Sequence, residues 1–152
     1  SDMGFTDSRP FGTGSDETRS VAVADMNGDG HPDIVTANIG EANGVFFGDG
    51  AGNFGSGVAF GDPANQSYSL RVVYLDNDGD QDIVVGNLRS ENAVYFNDGT
   101  GRAFVSMAFG GAGDVTYGVA VGDVNDDGYL DIGVANSDGL NGIHINRPVA
   151  NR

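Results

Sequence analysis

The chain contains no cysteine and no tryptophan, and its 152 residues include only two histidines, four prolines and seven Lys plus Arg. Without thiols it can form no disulfide scaffold, thiolate zinc site, iron–sulfur cluster or sulfur redox centre. The few basic residues stand against 22 Asp plus Glu, a formal charge of −15, which excludes a basic face for DNA or RNA. No apolar run approaches the roughly 18 residues of a spanning helix, and no charged-then-apolar leader opens the chain. The expectation is a soluble or already processed polypeptide with no membrane insertion. Nine Phe, five Tyr and 39% hydrophobic residues suffice for one folded domain over residues 1–152 rather than a disordered acidic chain.

Glycine is the residue present in excess, at 26 of 152, about 17% where a typical chain has about 7%. Each glycine inside a helix costs about 1 kcal/mol relative to alanine, so glycines between short apolar runs predict many turns joining short strands. The predicted fold class is all-β.

The sequence repeats with a period of 49 residues. Asp33, Asp82 and Asp131 share one position, as do Ile34, Ile83 and Ile132, Asn38, Asn87 and Asn136, and Asn43, Asn92 and Asn141. Phe11, Phe60 and Phe109 extend the register to the aromatic segment before each acidic loop. One period holds four strand-like runs, at 21–25, 33–38, 45–47 and, more weakly, 54–60, separated by Gly, Asn and Asp. Four strands in about 49 residues predict one β-propeller blade per repeat, with a stacked β-solenoid as the alternative; leucine-rich, ankyrin and TPR units have other patterns or need helices.

The nine-residue loop between the first two runs carries the chemistry. DMNGDGHPD (25–33) and DVNDDGYLD (123–131) both fit D-x-[DN]-x-D-G-x-x-D. Side-chain oxygens of Asp25, Asn27, Asp29 and Asp33, with the His31 main-chain carbonyl, would form a hard-cation cage. Asp123, Asn125, Asp127 and Asp131, with the Tyr129 carbonyl, would form a second. Ca²⁺ suits such a shell better than Mg²⁺, which keeps its waters. The three loops hold 11 of the 22 acidic residues, a crowding that opposes folding unless a cation neutralises it. Asp, Asn and Gly also make good turns without any ion. The second loop (74–82) offers Asp76, Asp78, Asp80 and Asp82 but has Tyr74 where the others open with Asp. It is predicted to be a weaker site, helped by water or the Asp80 side chain, or to bind nothing. An EF-hand would need Glu at position 12, where Thr36 and Val134 stand in strand-like runs.

These motifs, with VFFGDGAGNF and its counterpart, resemble FG-GAP/VCBS repeats, the units of integrin-α-type β-propellers, over nearly the whole chain. The resemblance implies Ca²⁺ at the blade rim between the first two strands. It also implies a non-catalytic binding or adhesion module for carbohydrates, proteins or neighbouring domains, in a secreted, periplasmic or cell-surface setting. Residues 5–11 match the fourth-strand segment 54–60, whereas the third repeat ends at Arg147-Pro148 without its own F-x-D-G turn. Three blades cannot easily close a ring, so a homodimer is expected in which each N-terminal strand completes the partner's last blade, giving six blades. A fragment of a longer propeller is the alternative.

The repeated asparagines could bind sugar hydroxyls, but Asn at strand ends more often satisfies backbone groups. Tyr68 and Tyr117 could stack on a sugar or belong to the core. No enzyme is expected. His31 and His144 occupy unrelated repeat positions, and the dense carboxylates already have a cation-binding role. A purely structural repeat, or a glycan-active enzyme, are the competing readings.

Overall fold

The computed structural model describes residues 4–5 and 7–147, which form strands and turns without helix. The first antiparallel sheet holds β1 (Thr18–Ala24), β2 (Asp33–Asn38), β3 (Asn43–Phe46) and β4 (Val58–Phe60) in sequential order. The second holds β5 (Ser67–Val73), β6 (Asp82–Asn87), β7 (Asn92–Asn97) and β8 (Phe104–Phe109). The third has three strands, β9 (Val115–Gly122), β10 (Asp131–Ser137) and β11 (Gly142–His144). The innermost strands β1, β5 and β9 lie side by side, so the sheets stack face to face in chain order.

The pleat sends successive side chains of the central strand to opposite neighbours. Ile83 and Val85 of β6 join Val35, Val45, Leu70 and Tyr95 in a core between the first and second sheets. Val84, between them in sequence, joins Val119, Ile132 and Val134 between the second and third. Such a strand is covered on both faces, which explains the unbroken apolar run Ile-Val-Val in place of an alternating pattern.

A side-chain relay crosses both sheet boundaries. Asn43 Nδ2 donates to Ser67 Oγ (3.2 Å), which donates to Asn87 Oδ1 (2.9 Å). One period later Asn92 Nδ2 donates to Thr116 Oγ1 (3.0 Å), which donates to Asn136 Oδ1 (2.7 Å). Within each sheet the second asparagine's Oδ1 accepts the first one's backbone amide, as in Asn38 N to Asn43 Oδ1 at 2.9 Å. The first one's Nδ2 donates to a turn carbonyl, that of Ala42, Glu91 or Leu140. The six asparagines therefore serve the frame, the structural alternative raised by their sequence positions.

Two strand expectations need correction. β1 starts at Thr18 rather than Val21, because Thr18 and Ser20 pair with Asn38 and Ala37 across a bulge. The fourth strand of the first sheet is only Val58–Phe60; Phe54 makes a lone bridge to Gly48 at the base of a glycine-rich turn. Residues 5–11 form no strand among the described positions, and residue 6 lies outside them. Within one chain the described residues of that segment pair with no strand. Instead Arg9 donates to the Ala51 carbonyl (2.7 Å) and Asn53 Oδ1 (3.0 Å), and the Phe11 ring packs edge-on to Phe46 (centroids 5.6 Å apart) and Phe54 (6.1 Å).

Candidate functional site

Each acidic loop connects the first and second strands of its sheet and folds through two left-handed positions. The fourth residue is Gly28 (φ 70°), Asn77 (64°) or Asp126 (58°), and the sixth is Gly30 (86°), Gly79 (102°) or Gly128 (87°). Only Gly, and at some cost Asn or Asp, adopts this backbone readily, which accounts for the residue choice at both places.

The carboxylate at position 9 is a buried clamp. Asp33 Oδ2 accepts the Met26 amide (2.8 Å) and Oδ1 the Gly48 amide (2.9 Å), tying the loop to the turn after β3. Asp82 does the same with Leu75 (3.0 Å) and Asn97 (3.0 Å), and Asp131 with Val124 (3.0 Å) and Asn146 (2.8 Å). Position 1 holds the turn from the other side. Asp25 Oδ1 accepts Gly28 (2.8 Å) and Asp29 (3.2 Å), and Oδ2 accepts Gly30 (2.8 Å). Asp123 accepts Asp127 (3.2 Å) and Gly128 (2.9 Å). Tyr74, half-exposed in the second loop, offers no carboxylate for the matching amides.

The remaining expected ligands lie on the turn itself. Asp29 Oδ1 accepts the His31 amide (2.8 Å) and its Oδ2 the Asn27 side chain (3.0 Å); Asp127 is held alike by Tyr129 (3.0 Å) and Asn125 (2.9 Å). Asp78 N donates to Asp76 Oδ1 (3.1 Å) and Asp80 N to Asp78 Oδ1 (2.9 Å). The His31 imidazole covers Gly50, and at the same repeat position the Asp80 carboxylate covers Gly99.

Electrostatics separate the second loop from the others. The His31 amide, then the Asn27 side chain, hold Asp29 below the usual carboxylate range, and the Gly128 amide does the same for Asp123. In the second loop burial pushes Asp76 up, with the adjacent Asp78 adding to the shift. Burial also raises Asp82, to which the Asp76 and Asp78 charges add, against the amides of Asn97 and Leu75.

Among the described residues no three His, Asp or Glu side chains form a ready-made metal cluster. The donor set nevertheless fits a hard cation, because it is all oxygen: carboxylates, Asn amide oxygens and a main-chain carbonyl. Each oxygen of Asp33, Asp82, Asp123 and Asp131 accepts one amide and so keeps a lone pair, as does Asp25 Oδ2.

A cleft of about 490 Å³ opens between the outer strands of the first and second sheets. Phe60 packs against Tyr95 (centroids 5.0 Å apart) and Phe104 (5.4 Å) in its wall, with Asp62, Asn65, Glu91 and Arg102 also lining it. The Ser90 hydroxyl is buried beside it without a hydrogen-bond partner. Tyr68 and Tyr117 lie elsewhere, edge-to-face on the innermost strands at 4.9 Å.

The sequence points to the loop residues but not to the clamp role of position 9 or to the Ser/Thr members of the relay. The recurrence of Thr18, Ser67 and Thr116 one period apart was the available signal. No helix among the described residues is long and apolar enough to cross a membrane. No curated protein matches the chain. The FG-GAP-like repeat family matches twice, at residues 25–85 and 74–134, two windows 49 residues apart that each run from one acidic loop through the next. With both its repeat length and most of its residues covered in this way, the chain belongs to the FG-GAP-like repeat family.

Proposed function

We propose that the chain is a non-catalytic binding module of β-propeller type whose loops are stabilised by Ca²⁺. The observation that carries this reading is the three-fold recurrence of a tight turn crowded with carboxylates, in which spare oxygen lone pairs remain after the backbone amides are served. Asp25, Asn27, Asp29, Asp33 and the His31 carbonyl would hold one ion. Asp123, Asn125, Asp127, Asp131 and the Tyr129 carbonyl would hold another. Asp76, Asp78, Asp80 and Asp82 would hold a third more weakly. The ion would neutralise the loop charge and brace the corner between the first two strands of each sheet. Extracellular calcium modules work at 10⁻⁴–10⁻³ M Ca²⁺, which suits a secreted, periplasmic or cell-surface location.

The cleft between the first two sheets is the proposed recognition surface. Its aromatic wall and its ring of Asp62, Asn65, Glu91 and Arg102 suit a polar ligand with an apolar face, such as a carbohydrate or a peptide loop. Non-catalysis is supported by the histidines, since His31 covers Gly50 and His144 packs edge-on to Phe109 at 4.9 Å.

Isothermal calorimetry with Ca²⁺, beside thermal melts in Ca²⁺ and in chelator, tests the ion. Identical melts and no binding heat would refute it. Calcium-dependent glycan-array binding abolished by Arg102→Ala would support the cleft, and binding that survives the substitution would move recognition elsewhere.

A further inference from the structure

The two outer faces of the three-sheet stack are complementary to each other. At the internal boundaries Leu70 and Val119 are 1% and 2% exposed against the preceding sheet, whereas Val21, their counterpart on β1, is 50% exposed. The opposite end of the stack carries the matching socket, an apolar groove of about 460 Å³ formed by residues that include Ala120, Gly133, Ala135 and Asn141. At the boundary of the second and third sheets, Val119 and Thr116 press so closely on Gly86 that a Cβ there would come within 2.9 Å of both. Ala135 occupies the position of Gly86 on the open face, and the first sheet also has an alanine there, Ala37.

The hydrogen-bond relay ends in matching groups. Asn43 and Asn92 donate their side-chain amides to Ser67 and Thr116 of the next sheet, while Asn141 Nδ2 has no partner among the described residues. At the other end Thr18 Oγ1 donates to Asn38 Oδ1 and is free to accept. The chain before β1 supplies a further match. Phe60 packs on Tyr95 and Phe109 on His144 of the following sheet, and Phe11 packs on Phe46, the same position of the first sheet. Gly12, Gly61 and Gly110 then turn the chain at φ 86°, 78° and 79°. Phe11 thus sits where the last strand of a preceding sheet would end. Phe60 pairs with Asn43 and Phe109 with Asn92, so the vacant pairing partner for Phe11 is an Asn141.

We propose that a second copy of this chain fills both faces. The β1 face of each copy would dock on the third-sheet groove of the other. Residues 7–11 would lie as a fourth strand beside the partner's β11, and Asn141 Nδ2 would donate to the partner's Thr18. The two junctions are equivalent and close a six-sheet ring. The Val/Leu position, the Asn-to-Ser/Thr relay and the Phe–Gly turn all recur at the chain's own 49-residue register, which favours a second copy over an unrelated protein. The junction lacks two links found inside the chain. Gly118 stands where Ser20 and Ser69 accept the amides of Leu70 and Val119, and Gly48 where Asn97 and Asn146 reach back to Met26 and Leu75. It is therefore weaker than the internal boundaries and, being intermolecular, the one that parts on dilution.

Multi-angle light scattering in Ca²⁺ over a hundredfold range of concentration tests this, with circular dichroism to confirm folding. The expected mass at high concentration is twice 15.6 kDa. Val21→Glu and Ala135→Arg, both at exposed positions, should each halve it. Mixing the two variants should restore it, because the mixed pair has one unaltered junction and one that sets Glu against Arg. A monomer at every concentration would leave the faces to a blade of another chain and overturn the proposal. So would masses above twice the chain, or a dimer indifferent to both substitutions.

Discussion

Asn97 of β7 donates its side-chain amide to the main-chain carbonyl of Met26, in the first acidic loop, across 2.8 Å and 71 residues of sequence. Its own amide is held by Asp82, and the Met26 amide by Asp33. Asn146 makes a longer contact of the same kind to Leu75 (3.5 Å), whose amide is also held by Asp82, while Asp131 holds the Asn146 amide. The three loops are therefore joined through their position-9 carboxylates in one line from Asp33 to Asp131.

Asn97→Ala removes the bond to Met26 and the one its Oδ1 accepts from the Gly101 amide (2.9 Å), orphaning two buried backbone groups. The expected loss is about 2–6 kcal/mol at one to three per orphaned group, read from urea unfolding at constant m-value. Calcium calorimetry on the same variant should show weaker binding at the first loop, although Asn97 is in neither of the first or third proposed ligand sets.

Asp33→Asn places an amide NH₂ against one of two backbone N–H groups, since both carboxylate oxygens accept. A loss of roughly 1–3 kcal/mol is expected in chelator, and a larger one in Ca²⁺, for which Asp33 is also a proposed ligand. Asp25→Asn, at a half-buried and more adaptable corner, should lose less than Asp33→Asn in chelator and show most of its loss in Ca²⁺. Parallel denaturation of the two variants checks the contrast.

Tyr74→Asp completes the second loop's pattern. Calorimetry should show a tighter second site, and filling any site to a hundred times its Kd adds about 2.7 kcal/mol, roughly 5–10 °C in Tm. In chelator the same substitution should destabilise, because it adds a charge to carboxylates that burial already raises. The folded-state pKa values of Asp76 and Asp82 lie above the unfolded value. Their contribution is therefore full below that value and is lost as pH rises through the raised one. Apo protein should gain relative stability on mild acidification through this loop.

Asp49 behaves oppositely. The Asn53 side chain, with the Ala51 and Asn53 amides, lowers it from its usual value to about 2. Its stabilisation is complete above the unfolded pKa and is lost as pH falls through about 2. Carboxyl NMR titration should find that midpoint, and Asp49→Ala should flatten the acid limb of stability against pH.

The sequence displayed the loops and the central strands openly because both are local. The nine-residue spacing sets the proposed ligands, and the apolar run from Ile34, Ile83 or Ile132 to the following Asn sets the strand. The relay was hidden because its partners are 24 residues apart on different sheets, as with Asn43 and Ser67, and a serine in a strand carries no local sign of its acceptor. The clamp was hidden for a related reason. Asp33 reads as one more ligand until the Gly48 amide, 15 residues on, is seen to bind it. Residues 5–11 match the strand segment 54–60 in sequence, but a strand forms only where it meets an edge, and within one chain Phe11 meets rings instead.

Because the Asn-to-Ser/Thr handover joins each sheet to the next in identical register, the boundary is a standardised coupling rather than a bespoke one. Duplicating residues 66–114 in tandem would present Asn92 of the first copy to the serine of the second, and Asn92 of the second to Thr116, with no altered residue at either seam. Growth by whole units of 49 residues is thus open to this architecture through simple gene duplication, while a shift of register within the strands that carry the handover would sever it and leave both of its polar ends stranded in the core.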